Sequence, residues 1–91
     1  MRVVFTPAFL KQLGKLDPQV KERAKAATGK VIDFYERQGK ATGLGVKRLR
    51  GSIWEARAGL SIRVLYLLDG DELRFILAGS HEDVRRFLLR A

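Results

Sequence analysis

Two arginines, a glutamate and one histidine are the residues of this chain whose types and spacing could do chemistry. Glu55 and Arg57 stand two apart in Ile53-Trp54-Glu55-Ala56-Arg57, and Arg63 stands in Ile62-Arg63-Val64-Leu65-Tyr66. Both runs read as strands, whose side chains alternate between faces. Ile53, Glu55 and Arg57 then share one face, and Trp54 and Ala56 the other. In the second run Ile62, Val64, Tyr66 and Leu68 share a face, while Arg63 points away with Leu65 and Leu67. The runs join at Ala58-Gly59-Leu60, so a carboxylate and two guanidiniums stand on neighbouring ribbons. A guanidinium is a planar fork of donors that matches a phosphate. A carboxylate beside it is either a structural ion partner or a base. His81, the only histidine, follows the last apolar run and opens a helical pattern. An imidazole titrates near pH ~6.5, which suits an acid or base near neutrality, and a helix N-terminus can receive an anion.

The totals narrow the setting. Ninety-one residues with 18 Lys+Arg against 10 Asp+Glu give a formal charge of +8. That excess is the electrostatic footprint of a nucleic-acid binder; the plainer reading is a soluble basic surface. No run approaches the ~18 apolar residues of a membrane span. Zero cysteines exclude disulfides and thiolate metal sites. Met1-Arg2-Val3-Val4-Phe5 leads straight into a helix start without a small-residue cleavage site. A cytoplasmic protein of one domain, residues 1–91, is expected.

The elements that must position these groups follow from pattern. Arg2 to Phe5 reads as a strand. Thr6-Pro7 supplies an N-cap and a first-turn proline, and Phe9, Leu10, Leu13 and Leu16 recur at helical spacing. Asp17-Pro18 stops that helix and opens a second, with Asp17 as cap. Its stripe is Val20, Ala24, Ala27, Val31, Phe34 and Tyr35. Lys21, Arg23, Lys25, Lys30, Glu36 and Arg37 fill much of the remainder. Gly29 inside this helix implies either a close neighbour or simple tolerance. The helix should end near Gln38-Gly39. Residues 39–45 hold three glycines and read as a loop, with Gly43-x-Gly45 a weak phosphate-cradle signal. Asp69-Gly70 between apolar runs marks a hairpin. Leu73, Phe75 and Leu77 then alternate with Arg74, Ile76 and Ala78. Ser80-His81-Glu82-Asp83 is a capping signal before Val84, Phe87 and Leu88. Core packing is the expected role of Trp54 and Tyr66, ahead of base stacking. The fold class is α+β: a mainly antiparallel four-stranded sheet, order β-α-α-β-β-β, with an N-terminal helix hairpin packed on one face and a short C-terminal helix.

At this point the residues resemble a family. Thr6-Pro7-Ala8-Phe9-x-Lys11-x-Leu13, Leu49-Arg50-Gly51-x-x-Trp54-Glu55-x-Arg57, Ile62-Arg63-Val64-Leu65-Tyr66 and Gly79-x-His81-x-Asp83-Val84 resemble the RelE/ParE superfamily of bacterial toxin–antitoxin toxins over nearly the whole chain. The RelE branch consists of messenger-RNA interferases that cut the codon in the ribosomal decoding site and are blocked by an antitoxin. The resemblance puts Arg63 at a phosphate-binding arginine of the third strand and Arg57 at a basic residue of the preceding one. His81 falls where relatives carry an arginine or a histidine acid. Two positions depart from the pattern. Glu55 stands where RelE itself is often basic, and Arg85 where RelE-like proteins often have a tyrosine.

The implied reaction is metal-free RNA cleavage with no cofactor. A base takes the proton from a ribose 2′-hydroxyl, donors hold the phosphoryl oxygens, and an acid protonates the leaving 5′-oxygen. Arg57 and Arg63 are the expected phosphate clamp, His81 the acid and Glu55 the base. Arg85, one helical turn from His81, would add a phosphate contact. Lys47, Arg48 and Arg50 read as docking charges. The expected partners are a cognate antitoxin, the ribosome and mRNA. Two alternatives stay open: a ParE-like inhibitor of DNA gyrase, suggested by the absent tyrosine, and a non-catalytic basic RNA- or ribosome-binding domain.

Overall fold

A computed structural model describes residues 1–37 and 45–90. The elements run β1 (Arg2–Phe5), α1 (Pro7–Gly14), α2 (Pro18–Glu36), β2 (Val46–Arg50), β3 (Ile53–Arg57), β4 (Ile62–Asp69), β5 (Glu72–Ser80) and α3 (His81–Arg90). The five strands form one sheet in the order β1-β5-β4-β3-β2. β1 runs parallel to β5 and every other pairing is antiparallel. The α+β expectation holds, with one strand more than the four expected. The additional strand is β2, whose Lys47, Arg48 and Arg50 masked it. As the edge strand it is exposed at three of its five positions, and a register shift interrupts its pairing with β3. Charges and irregularity of this kind are how edges avoid further pairing.

Local chemistry explains the helix starts. The Thr6 hydroxyl accepts from the Phe9 N–H at 3.2 Å and donates to the Phe75 carbonyl at 2.8 Å, so one side chain caps α1 and ties it to β5. Asp17 occupies the N-cap of α2, but its side chain makes no cap bond; its carbonyl accepts from the Lys21 N–H at 2.7 Å. Pro18, with φ already helical, is what starts this helix. At α3 the Ser80 hydroxyl accepts from the Asp83 N–H, and an Asp83 carboxylate oxygen accepts from the Ser80 N–H at 2.8 Å. This is a capping box with aspartate in the third position. Gly79 permits it, because a Cβ there would lie 2.7 Å from that carboxylate. No described helix is long and apolar enough to cross a membrane.

The two faces of the sheet are covered unequally. Beneath α1 and α2 lies the main core: Phe9, Ala24, Ala27, Val31, Ala56, Ala58, Ile62, Val64, Tyr66, Leu73, Phe75 and Ala78. α3 packs on the opposite face, where its Val84 meets Leu65 and Leu77, so the helices do not all share one face. The alternation expected for β5 also breaks. Leu65 pairs with Leu77 but Tyr66 pairs with Phe75, leaving Ile76 as an unpaired bulge. An extra residue reverses the parity of a strand. Leu73 and Phe75 therefore face the main core, whereas Leu77 faces α3. Trp54 and Tyr66 belong to the main core, with Tyr66 fully buried and its hydroxyl 3.0 Å from that of Tyr35. Burial and that neighbour push the Tyr66 phenol far up, so it stays neutral. No atom lies within 4 Å of a Cβ built on Gly29, which settles tolerance over close approach. The expected end of α2 at Gln38-Gly39 and Gly43 of the glycine pair fall outside the described residues.

Candidate functional site

The α3 face carries a cleft of about 460 Å³ between β2, β3, β4 and α3. Lys47, Glu55, Arg57, Arg63, His81 and Arg85 all line it, over an apolar floor that includes Leu49, Val84 and Leu88. Strand register explains how the first four meet. Lys47 pairs with Glu55 across β2–β3, and Arg57 pairs with Arg63 across β3–β4. Glu55 pairs with Leu65, which makes Arg63 its diagonal neighbour on the same face.

The Arg57–Arg63 pair is the unusual feature. The Ala58 N–H donates to the Ile62 carbonyl at 2.9 Å. Pairs in an antiparallel ladder alternate, so the adjacent Arg57–Arg63 pair is of the non-hydrogen-bonded kind, with Cα atoms roughly 4.5 Å apart and side chains close. Like charges directly opposite one another destabilise a sheet. A single carboxylate, Glu55, stands beside them. Its Oε1 lies 3.5 Å from Arg63 Nε, and the two side chains are only 11% and 12% exposed.

Arg63 is loosely held for so buried a cation. Its Nε is buried without a hydrogen-bond partner among the described residues. Its Nη1 donates to the carbonyls of Ile62 at 3.4 Å and Leu60 at 3.5 Å, both beyond the usual N–H···O range. A buried donor left unsatisfied costs about 1–3 kcal/mol. Arg57 is exposed and has no ion-pair partner among the described residues. The strand pair thus sets a weakly held, mostly buried guanidinium directly opposite an exposed one at the cleft, an arrangement that suits an oxyanion.

α3 supplies the other wall. His81 is its first residue, and Val84, Arg85 and Leu88 follow at helical spacing on the cleft side. His81 and Arg85 are both exposed, and Arg85 Nη1 lies 3.6 Å from Glu82 Oε1. Asp83 locks the first turn. The Ser80 N–H, the Ser80 hydroxyl and Arg86 together hold its carboxyl below the usual carboxylate range.

Arg48 and Arg50, expected as docking charges, do not line this cleft. Arg48 Nε donates to the Gly51 carbonyl at 2.9 Å. Arg50 Nη1 donates to the Leu88 carbonyl at 3.0 Å, which fastens the last turn of α3 to β2. Sequence reasoning missed the apolar floor of Leu49, Val84 and Leu88. Spacing could have found two of the three, since Val84 and Leu88 lie three and seven residues from His81. Gly45 also lines the cleft, at a positive φ of 68°.

No protein-family model and no curated protein sequence matches the chain. Solved structures do. The RelB–RelE antitoxin–toxin complex of Methanococcus jannaschii superposes with a TM-score of 0.70 at 16% identity, over 92% of this chain and 96% of the other. The DinJ–YafQ complex of E. coli gives 0.68 at 14%, over 92% and 98%. A YoeB/ParE toxin from Agrobacterium tumefaciens gives 0.64 at 23%, over 89% and 99%. At such identities the likeness is one of architecture, and it is nearly complete in both directions: the chain shares its fold with these solved structures.

Proposed function

We propose that the chain is the toxin of a toxin–antitoxin pair, and that it cuts ribosome-bound mRNA in the cleft between β2, β3, β4 and α3. The observation that carries this reading is the Arg57–Arg63 pair, two opposed guanidiniums with spare donors around one carboxylate. An RNA phosphodiester fits that deficit in charge and shape. The fold shared with the RelE, YafQ and YoeB/ParE structures supports the same reading.

In the proposed reaction Glu55 takes the proton from a ribose 2′-hydroxyl. The freed oxygen attacks the adjacent phosphorus, and the bond from phosphorus to the 5′-oxygen breaks. His81 protonates that departing oxygen, leaving a 2′,3′-cyclic phosphate and a 5′-hydroxyl. Arg57 and Arg63 hold the phosphoryl oxygens as negative charge grows on them. Lys47 and Arg85 hold neighbouring phosphates and position the chain in line. The reaction draws on no cofactor. An antitoxin acting on this site would cover the cleft with acidic groups, complementary to the surplus of cations. Two of the superposed structures are antitoxin–toxin complexes.

Primer extension on mRNA from a translating extract tests the proposal. Wild-type protein should produce defined stops within coding sequence, and Arg63→Ala and His81→Ala should abolish them. Unchanged transcripts alongside growth arrest would overturn it. Arrest with DNA damage while translation continues would point instead to gyrase.

A further inference from the structure

A second hollow of about 320 Å³ adjoins the cleft on the outer side of β3. Arg23, Ala26, Ala27 and Lys30 of α2 form one wall, and Gly45, Arg57, Ala58 and Gly59 the other. Gly45 and Arg57 line both cavities, so the cleft on the α3 face and the hollow on the α2 face meet around these two residues at the end of β3. Among the described residues no acid lines the second one. Neither Arg23 nor Lys30 has an ion-pair partner among the described residues.

The arrangement is built by particular residues. Arg23 and Lys30 are seven apart, two turns along one helix face, which sets them about 10.5 Å apart along the axis. Between them Ala26 and Ala27 leave the floor low. The Arg23 stem lies over the β3–β4 turn at Gly59, whose φ is 97° and whose Cβ, if present, would come 3.3 Å from Arg23 Cδ. Glycine at that turn both adopts the left-handed backbone and clears the path of the arginine.

We infer that this hollow is a second phosphate subsite, joined through Arg57 to the first, and that a single RNA strand occupies both at once. Arg57 then touches the strand at the junction, while Arg23 and Lys30 take a phosphate beyond the cut. The substrate is therefore a strand several nucleotides long, not a dinucleotide. This inference rests on the RNA reading of the cleft.

Fluorescence anisotropy with 2′-O-methyl oligonucleotides of two and eight nucleotides tests it, because methylation blocks cleavage and isolates binding. In the Arg23→Gln/Lys30→Gln variant the eight-mer should bind roughly tenfold more weakly, and the slope of log affinity against log salt should fall by about 0.7, from one phosphate no longer neutralised. Affinity for the dinucleotide should not change. Equal losses at both lengths, or none at either, would overturn the subsite. So would a variant that loses affinity for a poly-glutamate peptide and not for the eight-mer, since the hollow would then serve an acidic protein segment. Failure of the cleft reading is separately visible: the eight-mer would bind with the expected length dependence while mRNA stays uncut in the primer-extension assay.

Discussion

The two faces of the sheet are made from alternate residues of the same strands, yet they do opposite things. Under α1 and α2 twelve buried residues interlock, with Tyr66, Phe75 and Phe9 fully enclosed. Under α3 the buried apolar cluster is only Leu65, Leu77 and Val84, and beside it Lys47, Glu55, Arg57 and Arg63 line a cleft. One face carries the stability of the domain. The other tolerates opposed like charges and a half-satisfied buried arginine, which a domain selected for stability alone would discard. The bulge at Ile76 lets β5 serve both, because it turns Leu77 toward α3 while Leu73 and Phe75 stay in the main core.

The largest expected effect breaks the stable face. Phe75→Ala removes a fully buried ring that contacts Phe5, Phe9 and Tyr66. It should cost about 3–5 kcal/mol in denaturant unfolding. Arg63→Ala should act on the other face and lower the cleavage rate about 10²–10³-fold, as loss of a preorganised oxyanion donor does. Single-turnover RNA cleavage would measure it.

Asp83→Ala should cost about 0.5–2 kcal/mol by removing the capping box of α3. The sign of its pH dependence follows from the hydrogen bonds that lower its carboxyl. The stabilisation is complete above the ordinary carboxylate range, near pH ~4, and is lost as pH falls through the lowered value. Acid unfolding of wild type and variant should converge there. Gly29→Ala, in open space on α2, should stabilise by about 0.4–1 kcal/mol without altering cleavage.

Much of this division was legible in the sequence. Strand alternation put Glu55 and Arg57 on one face and Trp54 on the other, and it set Arg63 against Tyr66. Thr6-Pro7 and Asp69-Gly70 marked a helix start and a hairpin by local chemistry alone. What alternation could not reveal was register. That Arg57 stands directly opposite Arg63 depends on which residues the turn at Gly59 leaves unpaired. β2 was hidden because an edge strand can carry charges at most positions, and the bulge at Ile76 leaves no mark in a run of apolar residues. The hollow lined by Arg23 and Lys30 needs α2 laid against the β3–β4 turn, a long-range contact that helical spacing does not encode.

The opposed guanidiniums are best tested by thermal unfolding of wild type and Arg57→Gln, each with and without the eight-nucleotide 2′-O-methyl strand. Without RNA the variant should melt at the same temperature as wild type or above it, because a like-charge pair worth about 0.2–1 kcal/mol of strain is relieved. With RNA the wild type should gain more than the variant, since only binding to the folded state stabilises it. A variant that melts lower without RNA and gains as much from it would show that the pair is structural and holds no phosphate.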